Sequence, residues 1–432
     1  MVSQRFRTLR KYVVPAMLTN TCVFLFTIVD GLFVGNGVGQ NALGAVNLAM
    51  PFVMIAMSLY NLAAIGGASS MAIQIGKNDK IAANNVFLHS LSLNFIVSVF
   101  VTLIGTCATT SLCSILGANN TYLNMVKDYV FWWSVFAIPN AMSIHLQAFC
   151  RNDGSPSLVA AATVSSTLTN IVLDWLFVFP LHMGITGAAI ATGISQTLGF
   201  AIVLSHFIMK KGCLRIRPFQ PNGALYRQII FTGMPEMIAQ FANPVTTVCL
   251  NRMLLLTIGD IGVNVFAVIS YVSSFSMSIL FGVSEGLQPL FGQSYGAAKN
   301  DDLKYYFKSG LKISLIGSVI CTLLSIVLAS PIASLFGAKE LVLTMTVSSM
   351  PLYSWAFIDA GVNTLISAYL YSTEKTSAAI LLNLLRSFII NTAVIIGLSN
   401  IFGESIVWMT YGISETITLI IAVVILHKAN AA

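Results

Sequence analysis

Ser114-Ile-Leu-Gly-Ala118 returns later in the chain as Ser334-Leu-Phe-Gly-Ala338, at an offset of 220. A second motif, Gly193-Ile-Ser-Gln-Thr197, returns as Gly412-Ile-Ser-Glu-Thr416 at an offset of 219. Pro15 has a counterpart in Pro235, at the same offset as the first motif. Because self-similarity at a fixed offset is the signature of an internal repeat, the sequence predicts one structural unit built twice.

The composition is that of a membrane protein. Hydrophobic residues make up 56% of the chain and charged residues 9%, whereas a soluble domain has about 25% charged residues. A helix needs about 20 mainly apolar residues to cross a bilayer. The sequence therefore predicts an all-α polytopic fold of two six-helix bundles, with twelve spans near 12–35, 43–66, 86–110, 128–149, 157–180, 186–209, 228–257, 263–290, 308–330, 343–371, 377–398 and 404–427.

The net charge is +7. The positions of the basic residues fit the predicted topology, so this charge gives no support for nucleic-acid binding. If the N-terminus lies inside the cell, most basic residues fall on the cytoplasmic side, whereas Lys127 and Lys339 are exceptions on the outside. This bias predicts that both termini are cytoplasmic and that the basic residues contact anionic lipid. The first apolar run is too long for a cleaved signal peptide, so we expect it to remain as the first span. We expect a multi-pass protein of the plasma membrane, which in a bacterium is the inner membrane.

The longest polar connection divides the chain into two halves. Residues 210–227 contain Pro218 and Pro221, and we expect them to link an N-terminal bundle, 1–209, to a C-terminal bundle, 228–432. With six spans each, both copies would enter the membrane in the same direction. Pro15 and Pro235 lie early in the first span of their copies, where a proline favours a kink, so both are candidate hinges.

Residue patterns typical of enzymes are not found in the sequence. The seven cysteines form no Cys-x-x-Cys pair, and the five histidines show no metal-binding spacing. The chain also lacks a Gly-x-Ser-x-Gly nucleophile motif and a phosphate-binding Gly-x-x-x-x-Gly-Lys loop. These patterns predict a protein that is not an enzyme and has neither disulfides nor a structural metal site.

Acidic residues inside the predicted spans are the main candidates for function, since a charge near the bilayer centre costs roughly 2.5–3.5 kcal/mol. Asp30 and Asp174 each lie six residues before the outer end of a span, so both carboxylates would lie about 9 Å below that end. Asn170 shares a helix face with Asp174. Burial favours a protonated carboxyl whereas a bound cation favours the carboxylate, so this cluster is a candidate site for a proton or sodium ion. The alternative is a set of hydrogen bonds that only joins helices.

The two copies do not share these acids. At an offset of 220, Asp30 lies opposite Leu250 and Asp174 opposite Val394. In the second half, Glu236, Glu285 and Asp359 form a possible second polar site. Glu415 also replaces Gln196 in the repeated Gly-Ile-Ser motif, and Arg252 and Arg386 are candidate partners for the acids. The duplication therefore predicts shared motion but different chemistry in the two halves.

Four segments resemble the multidrug and toxic compound extrusion (MATE) transporters, and the likeness covers essentially the whole chain. They are Val29-Asp30-Gly31-Leu-Phe-Val-Gly35, Arg151-Asn-Asp-Gly154, Asn170-Ile-Val-Leu-Asp174 and Pro289-Leu-Phe-Gly-Gln-Ser-Tyr-Gly-Ala297. The resemblance implies a secondary antiporter that exports organic, often cationic and aromatic, compounds in exchange for protons or sodium ions.

The same resemblance implies that Asp30, Asn170 and Asp174 form the cation-coupling cluster, with Asp30 and Asp174 as possible sodium ligands. Asp359 is similar to an acid of sodium-coupled relatives, whereas Asn243 stands about where some relatives carry an acid. The expected partners are small organic substrates and membrane lipid, with no nucleic acid. We expect a monomer with no cofactor other than the coupling ion.

Three other functions remain open at this stage. Related folds include lipid and oligosaccharide flippases, but these favour a cationic cavity for phosphates, and the charges inside the spans here are mostly acidic. A channel would conduct without a counter-ion. An intramembrane enzyme would need a nucleophile and base or a metal site, and the sequence shows no such pattern.

Overall fold

The computed structural model describes residues 2–116, 123–336 and 338–431, and within those ranges the chain is helical, with no β-strand. Gly117, Ala118 and Gly337 of the repeated motif lie outside the described residues. The helices of the first copy are α1 (Val2–Gly37), α2 (Gln40–Gly76), α3 (Lys80–Cys107), α4 (Thr109–Ile115), α5 (Leu123–Val135), α6 (Ala137–Asn152), α7 (Pro156–Val178) and α8 (Gly184–Ile208).

The second copy repeats this pattern. Its helices are α9 (Gly223–Gln240), α10 (Ala242–Thr257), α11 (Asp260–Gly296), α12 (Asn300–Val327), α13 (Ala329–Leu335), α14 (Glu340–Ser354), α15 (Ala356–Ser372), α16 (Thr376–Leu384), a π-helix (Leu385–Ile390), α17 (Asn391–Phe402), α18 (Glu404–Val407) and α19 (Thr410–Ala431). The bounds of α2, α3 and α4 recur at an offset of 220 as those of α11, α12 and α13. The predicted internal duplication is confirmed.

In the part of the chain that the structure describes, the helices group into twelve segments. Ten of the described helical stretches are long and apolar enough to span a bilayer. The other two segments pair α5 with α6 and α9 with α10, and each is interrupted at one residue, Phe136 or Phe241. Pro139 and Pro244 follow these breaks by three residues, and a proline cannot donate the hydrogen bond that would continue the preceding helix. The prediction of a duplicated twelve-helix membrane fold is confirmed.

The chain divides into two compact units. The first-copy unit comprises residues 18–237 and 296–298, and the second-copy unit comprises residues 1–17, 238–295 and 299–432. Each has its own apolar core: Phe52, Tyr60 and Trp133 are buried in the first-copy unit, and Phe266 and Trp408 in the second-copy unit.

The first helix of each copy begins in the unit of the other copy. Residues of α1 up to Met17 belong to the second-copy unit, and residues of α9 up to Met237 belong to the first-copy unit. Pro15 lies inside α1 and Pro235 inside α9. In each helix the boundary between the two units follows the second residue after the proline. Sequence position alone therefore does not decide to which unit a helix segment belongs.

Glycines permit the close packing of these helix starts. A Cβ atom on Gly233 of α9 would lie 2.0 Å from the carbonyl oxygen of Leu62 on α2, and one on Gly66 would lie 2.2 Å from that of Ile229. In the second-copy unit, a Cβ atom on Gly286 of α11 would lie 2.7 Å from the Cα of Val13 on α1. Since these neighbours are backbone atoms, a side chain at either glycine of the first pair requires the helices to separate.

The connection between α8 and α9 packs on the first-copy unit. The backbone N–H of Asn222 donates to Nε2 of His89 at 2.9 Å, and Nδ1 of His89 lies 2.7 Å from the carbonyl oxygen of Asn85. A carbonyl only accepts, so Nδ1 carries the ring proton and Nε2 is the acceptor. The ring of Tyr226 lies 5.0 Å from that of His89, and its hydroxyl is hydrogen-bonded to Ser92 at 2.7 Å. The predicted linker is therefore an ordered part of this unit.

Candidate functional site

Three polar side chains of the first-copy unit meet between α1 and α7. Asp174 and Asn170 lie one turn apart on α7 and both are 0% exposed. Asp30, near the C-terminal end of α1, has its carboxyl group beside that of Asp174 and its Oδ1 atom is buried. The structure thus brings together the three residues that the sequence singled out, and places them in one unit.

This cluster has unused hydrogen-bonding capacity. Oδ1 of Asp30, both carboxyl oxygens of Asp174 and both amide atoms of Asn170 are buried and make no hydrogen bond of good geometry with a described residue, although the three side chains lie within interaction distance of one another. Buried polar groups are normally hydrogen-bonded, because leaving them unsatisfied costs about 1–3 kcal/mol each. Two adjacent carboxyl groups also repel one another when both are ionised. A proton or a small cation relieves both penalties, and carboxylate and amide oxygens are suitable ligands for either.

Tyr129 belongs to the surroundings of this cluster and was not found from the sequence. It lies on α5, is buried, and is close enough to Asp30 and Asp174 for their charges to act on its ring hydroxyl. No spacing rule links residues on different helices, so the proximity of Tyr129 to the two aspartates is visible only in the structure. Thr27, three residues before Asp30 on α1, is exposed, and its hydroxyl donates to the carbonyl oxygen of Val23 at 3.0 Å.

A second polar centre lies in the second-copy unit. Nε of Arg386 donates to both carboxylate oxygens of Glu415 at 3.0 Å, and Nδ2 of Asn363 donates to Oε2 of Glu415 at 2.8 Å. The hydroxyl of Thr416 donates to Oδ2 of Asp359 at 2.5 Å. Arg386, Glu415 and Asn363 are all buried. In contrast to the first-copy cluster, the carboxylate of Glu415 has a cation as its partner.

The local backbone differs between the copies at this point. Arg386 lies in the π-helix, a conformation that occurs mostly at functional or distorted places within α-helices. At an offset of 220, its counterpart is Ser166, which lies within regular α7 and donates to the carbonyl oxygen of Ser195 at 2.7 Å. The duplicated scaffold thus carries an ion pair in one copy and a hydroxyl group in the other.

The three candidate acids of the second half are distributed over both units. Glu236 lies on α9 within the first-copy unit, and Glu285 lies on α11 within the second-copy unit. Asp359, on α15, is half-buried and joins the second polar centre through Thr416. Asp359 is therefore hydrogen-bonded to the residue that follows Glu415, whereas the sequence grouped it with Glu236 and Glu285.

The fold and the buried acids define a duplicated, all-helical membrane protein with ionisable groups inside its spans. A family model comparison agrees: the MatE model matches residues 15–176 and again 235–396, two ranges at the same offset as the repeated motifs. The two matches cover most of the chain. The protein therefore belongs to the MatE family, the transporters that its sequence motifs resemble.

Individual relatives match over nearly the whole chain. The multidrug export protein MepA of Staphylococcus haemolyticus is 24% identical over 434 residues, covering 99% of this chain and 94% of that protein. The FAD transporter of Shewanella oneidensis is 24% identical over 390 residues, covering 88% of this chain and 85% of that protein. A solved outward-facing structure of a multidrug resistance MATE transporter matches with a TM-score of 0.92 and 21% sequence identity. The match covers 98% of this chain and 96% of the chain in that structure.

Proposed function

We propose that this protein is a secondary antiporter that exports organic compounds, often cationic and aromatic, in exchange for protons or sodium ions. Membership of the MatE family supports a transport function, and MepA, a similar protein, is named as a multidrug exporter. The observation that carries the coupling part is the buried set of unsatisfied oxygens on Asp30 and Asp174, with Asn170 beside them. A cation is the ligand that this set fits best.

The proposed mechanism is alternating access. A proton or sodium ion from outside binds Asp30 and Asp174, which neutralises the repulsion between the carboxylates and favours one conformation of the first-copy unit. The organic substrate favours the other conformation. A ligand shifts such an equilibrium only by its difference in affinity for the two states, so exchange requires that the two ligands prefer different states.

The prolines are the proposed bending points. Pro15 and Pro235 stand two residues before α1 and α9 change unit, so a bend at either one changes the direction of a helix that belongs to both units. We also propose that both termini lie in the cytoplasm of a bacterial cell, since this orientation places most basic residues inside. Under this topology Asp30 and Asp174 lie in the outer half of the membrane.

Transport in reconstituted vesicles tests this function. The purified protein is placed in liposomes, a fluorescent organic cation is supplied outside them, and outward proton and sodium gradients are imposed separately and together. We expect the dye to accumulate against its own gradient when one of the two ion gradients is present. The ion that supports this accumulation is the coupling ion.

The same assay separates the rival functions. A channel would let the dye equilibrate without accumulation, whatever ion gradient is imposed. A lipid or oligosaccharide flippase would leave the dye untouched and would instead expose a fluorescent phospholipid of the inner leaflet to a membrane-impermeant quencher. Either result would contradict the antiport proposal.

A further inference from the structure

The glycine of the repeated Gly-Ile-Ser motif packs against an aromatic residue at a helix break in each copy. In the first-copy unit, Phe136 separates α5 from α6, and a Cβ atom on Gly193 of α8 would lie 2.1 Å from two atoms of its ring. In the second-copy unit, Trp355 separates α14 from α15, and a Cβ atom on Gly412 of α19 would lie 2.3 Å from two atoms of the indole. We call this packing of a ring on a glycine the ring socket.

The two ring sockets are related by the internal duplication. Trp355 follows Phe136, and Gly412 follows Gly193, at the same offset of 219. The bounds of α2, α3 and α4 recur instead at an offset of 220. The aromatic residue and the glycine are thus displaced together by one residue, as expected for side chains that pack as a pair.

The helix breaks make such a contact important for register. Within a continuous helix, each N–H bonds to the carbonyl oxygen four residues earlier, which fixes the rotation of one turn on the next. At Phe136 the backbone has φ −94° and ψ 8°, away from the helical values, and its N–H reaches the carbonyl oxygen of Trp132 only at 3.4 Å. At Trp355 the angles are those of a 3₁₀ turn, φ −60° and ψ −23°. The orientation of the segment after each break therefore depends more on contacts with neighbouring helices.

In the second-copy unit, a polar contact lies in step with the ring socket. Thr416 follows Gly412 by four residues on α19, and Asp359 follows Trp355 by four residues on α15. The hydroxyl of Thr416 donates to Oδ2 of Asp359 at 2.5 Å. Because both helices advance by one turn between the two contacts, they run parallel here, and the position of the ring on the glycine decides which polar residues meet.

The first-copy unit has the same arrangement with other polar groups. Seven residues beyond the ring, Oγ of Ser143 on α6 lies 3.4 Å from the Cβ position of Gly199, which follows the socket glycine of α8 by six residues. At the offset of 219, Asn140 is the counterpart of Asp359. The ring socket is thus shared by both copies, whereas the second copy has a carboxyl group where the first has an amide.

We propose that Trp355 is a positioning residue. Its ring, seated on Gly412, sets the register of α15 on α19 and thereby brings the carboxyl group of Asp359 to the hydroxyl of Thr416. Phe136 on Gly193 sets the register of α6 on α8 in the same way. The inference concerns packing within each unit and is independent of the substrate, the coupling ion and the direction of transport.

A double-mutant cycle tests whether the ring and the glycine act as a pair. Gly412→Ala places a methyl group against the indole, and we expect its Tm in detergent to be roughly 2–6 °C below that of the unmodified protein. Trp355→Leu removes the ring, so the combined variant should be more stable than the sum of the two separate losses predicts. Gly397→Ala is the control and should not lower the Tm, since no atom lies within 4 Å of its Cβ position.

Disulfide cross-linking measures the register itself. Asp359→Cys and Thr416→Cys place two thiols where the side chains now touch, and peptide mass spectrometry after mild oxidation identifies the bond between them. We expect Gly412→Ala, added to this pair, to reduce the cross-linked fraction at least about threefold, because a disulfide requires Cβ atoms about 3.5–4.5 Å apart. Trp355→Phe, which reproduces the first-copy ring, should retain the cross-link. A loss of stability alone would leave the cross-link intact in the folded protein.

Each outcome decides the proposal without reference to transport. An undiminished cross-link in the Gly412→Ala protein, or effects of Gly412→Ala and Trp355→Leu that simply add, overturns it. If Gly412→Ala alone yields no folded protein, recovery of folded protein by adding Trp355→Leu supports the proposal, and failure of the combined variant overturns it. These results stand whether or not antiport is observed.

Discussion

Arg386 and Glu415 form an ion pair inside the second-copy unit, with Nε of the arginine 3.0 Å from both carboxylate oxygens of the glutamate. Thr364 and Asn363 add further contacts: Nη1 of Arg386 donates to the hydroxyl of Thr364 at 3.2 Å, and Nδ2 of Asn363 donates to the carboxylate. The pair links the π-helix to α19 and α15. Because the two charges compensate each other, we attribute a structural role to this ion pair. The proposed cation coupling stays with the first-copy cluster.

Removing one partner of this pair should destabilise the protein. Arg386→Gln leaves the Glu415 carboxylate buried without its cation, which costs about 3–5 kcal/mol in comparable buried pairs. We expect a lower Tm in detergent for this variant. Replacing both partners by apolar residues, Arg386→Met with Glu415→Leu, should recover part of the loss. A single variant as stable as the unmodified protein would show that the pair contributes little.

Gly233 should not tolerate alanine, because the added Cβ would lie 2.0 Å from the carbonyl oxygen of Leu62 and the backbone must move to make room. Overpacking of this kind costs about 1–3 kcal/mol. The expected result is a lower Tm and a smaller yield of monodisperse protein. Gly397→Ala is the control: no atom lies within 4 Å of its Cβ position, so we expect equal or slightly higher stability. Equal behaviour of the two variants would contradict the close packing of α2 and α9.

Cys213 should react slowly with thiol reagents in the folded protein. Its thiol donates to Oδ1 of Asp153 at 3.0 Å, and burial together with this carboxylate raises the pKa of Cys213 to about 12. The reactive thiolate is therefore roughly one part in ten thousand at pH 8. Maleimide labelling, followed at Cys213 by peptide mass spectrometry, should be much slower in the folded than in the denatured protein, and Asp153→Asn should accelerate it.

The raised pKa also determines how this contact responds to pH. The folded protein favours the protonated thiol, so the stability contributed by Cys213 is complete below the pKa of the unfolded thiol. It is lost as the pH rises from there towards about 12. Equal labelling rates in folded and denatured protein at pH 8 would contradict the docking of the linker on Asp153.

Most of the fold was predictable from the sequence, because it depends on local properties. Runs of apolar residues set the twelve membrane-crossing segments, and the constant offset between repeated motifs set the duplication. The sequence also identified Asp30, Asn170 and Asp174 as candidates, because depth along a helix and a spacing of four residues follow from helix geometry. The structure places them together.

The remaining features depend on contacts between helices distant in sequence. Tyr129 lies close enough to Asp30 and Asp174 for their charges to act on it, and no periodicity encodes the proximity of residues on different helices. The pairing of Arg386 with Glu415 was open for the same reason. The start of α1 packs in the second-copy unit and the start of α9 packs in the first-copy unit, each with a close approach at a glycine. These approaches are visible only when the backbones of both helices are known.

The central claim is that Asp174, with Asp30, couples an ion gradient to export. The most direct measurement compares uphill accumulation of a fluorescent organic cation in vesicles with exchange of the same dye at equilibrium, using Asp174→Asn. Asp128→Asn, which changes an exposed acid on α5 next to Tyr129, is the matched control. We expect Asp174→Asn to lose uphill accumulation while dye exchange persists, and Asp128→Asn to retain both. Ion-driven accumulation by Asp174→Asn equal to that of the unmodified protein would contradict the account.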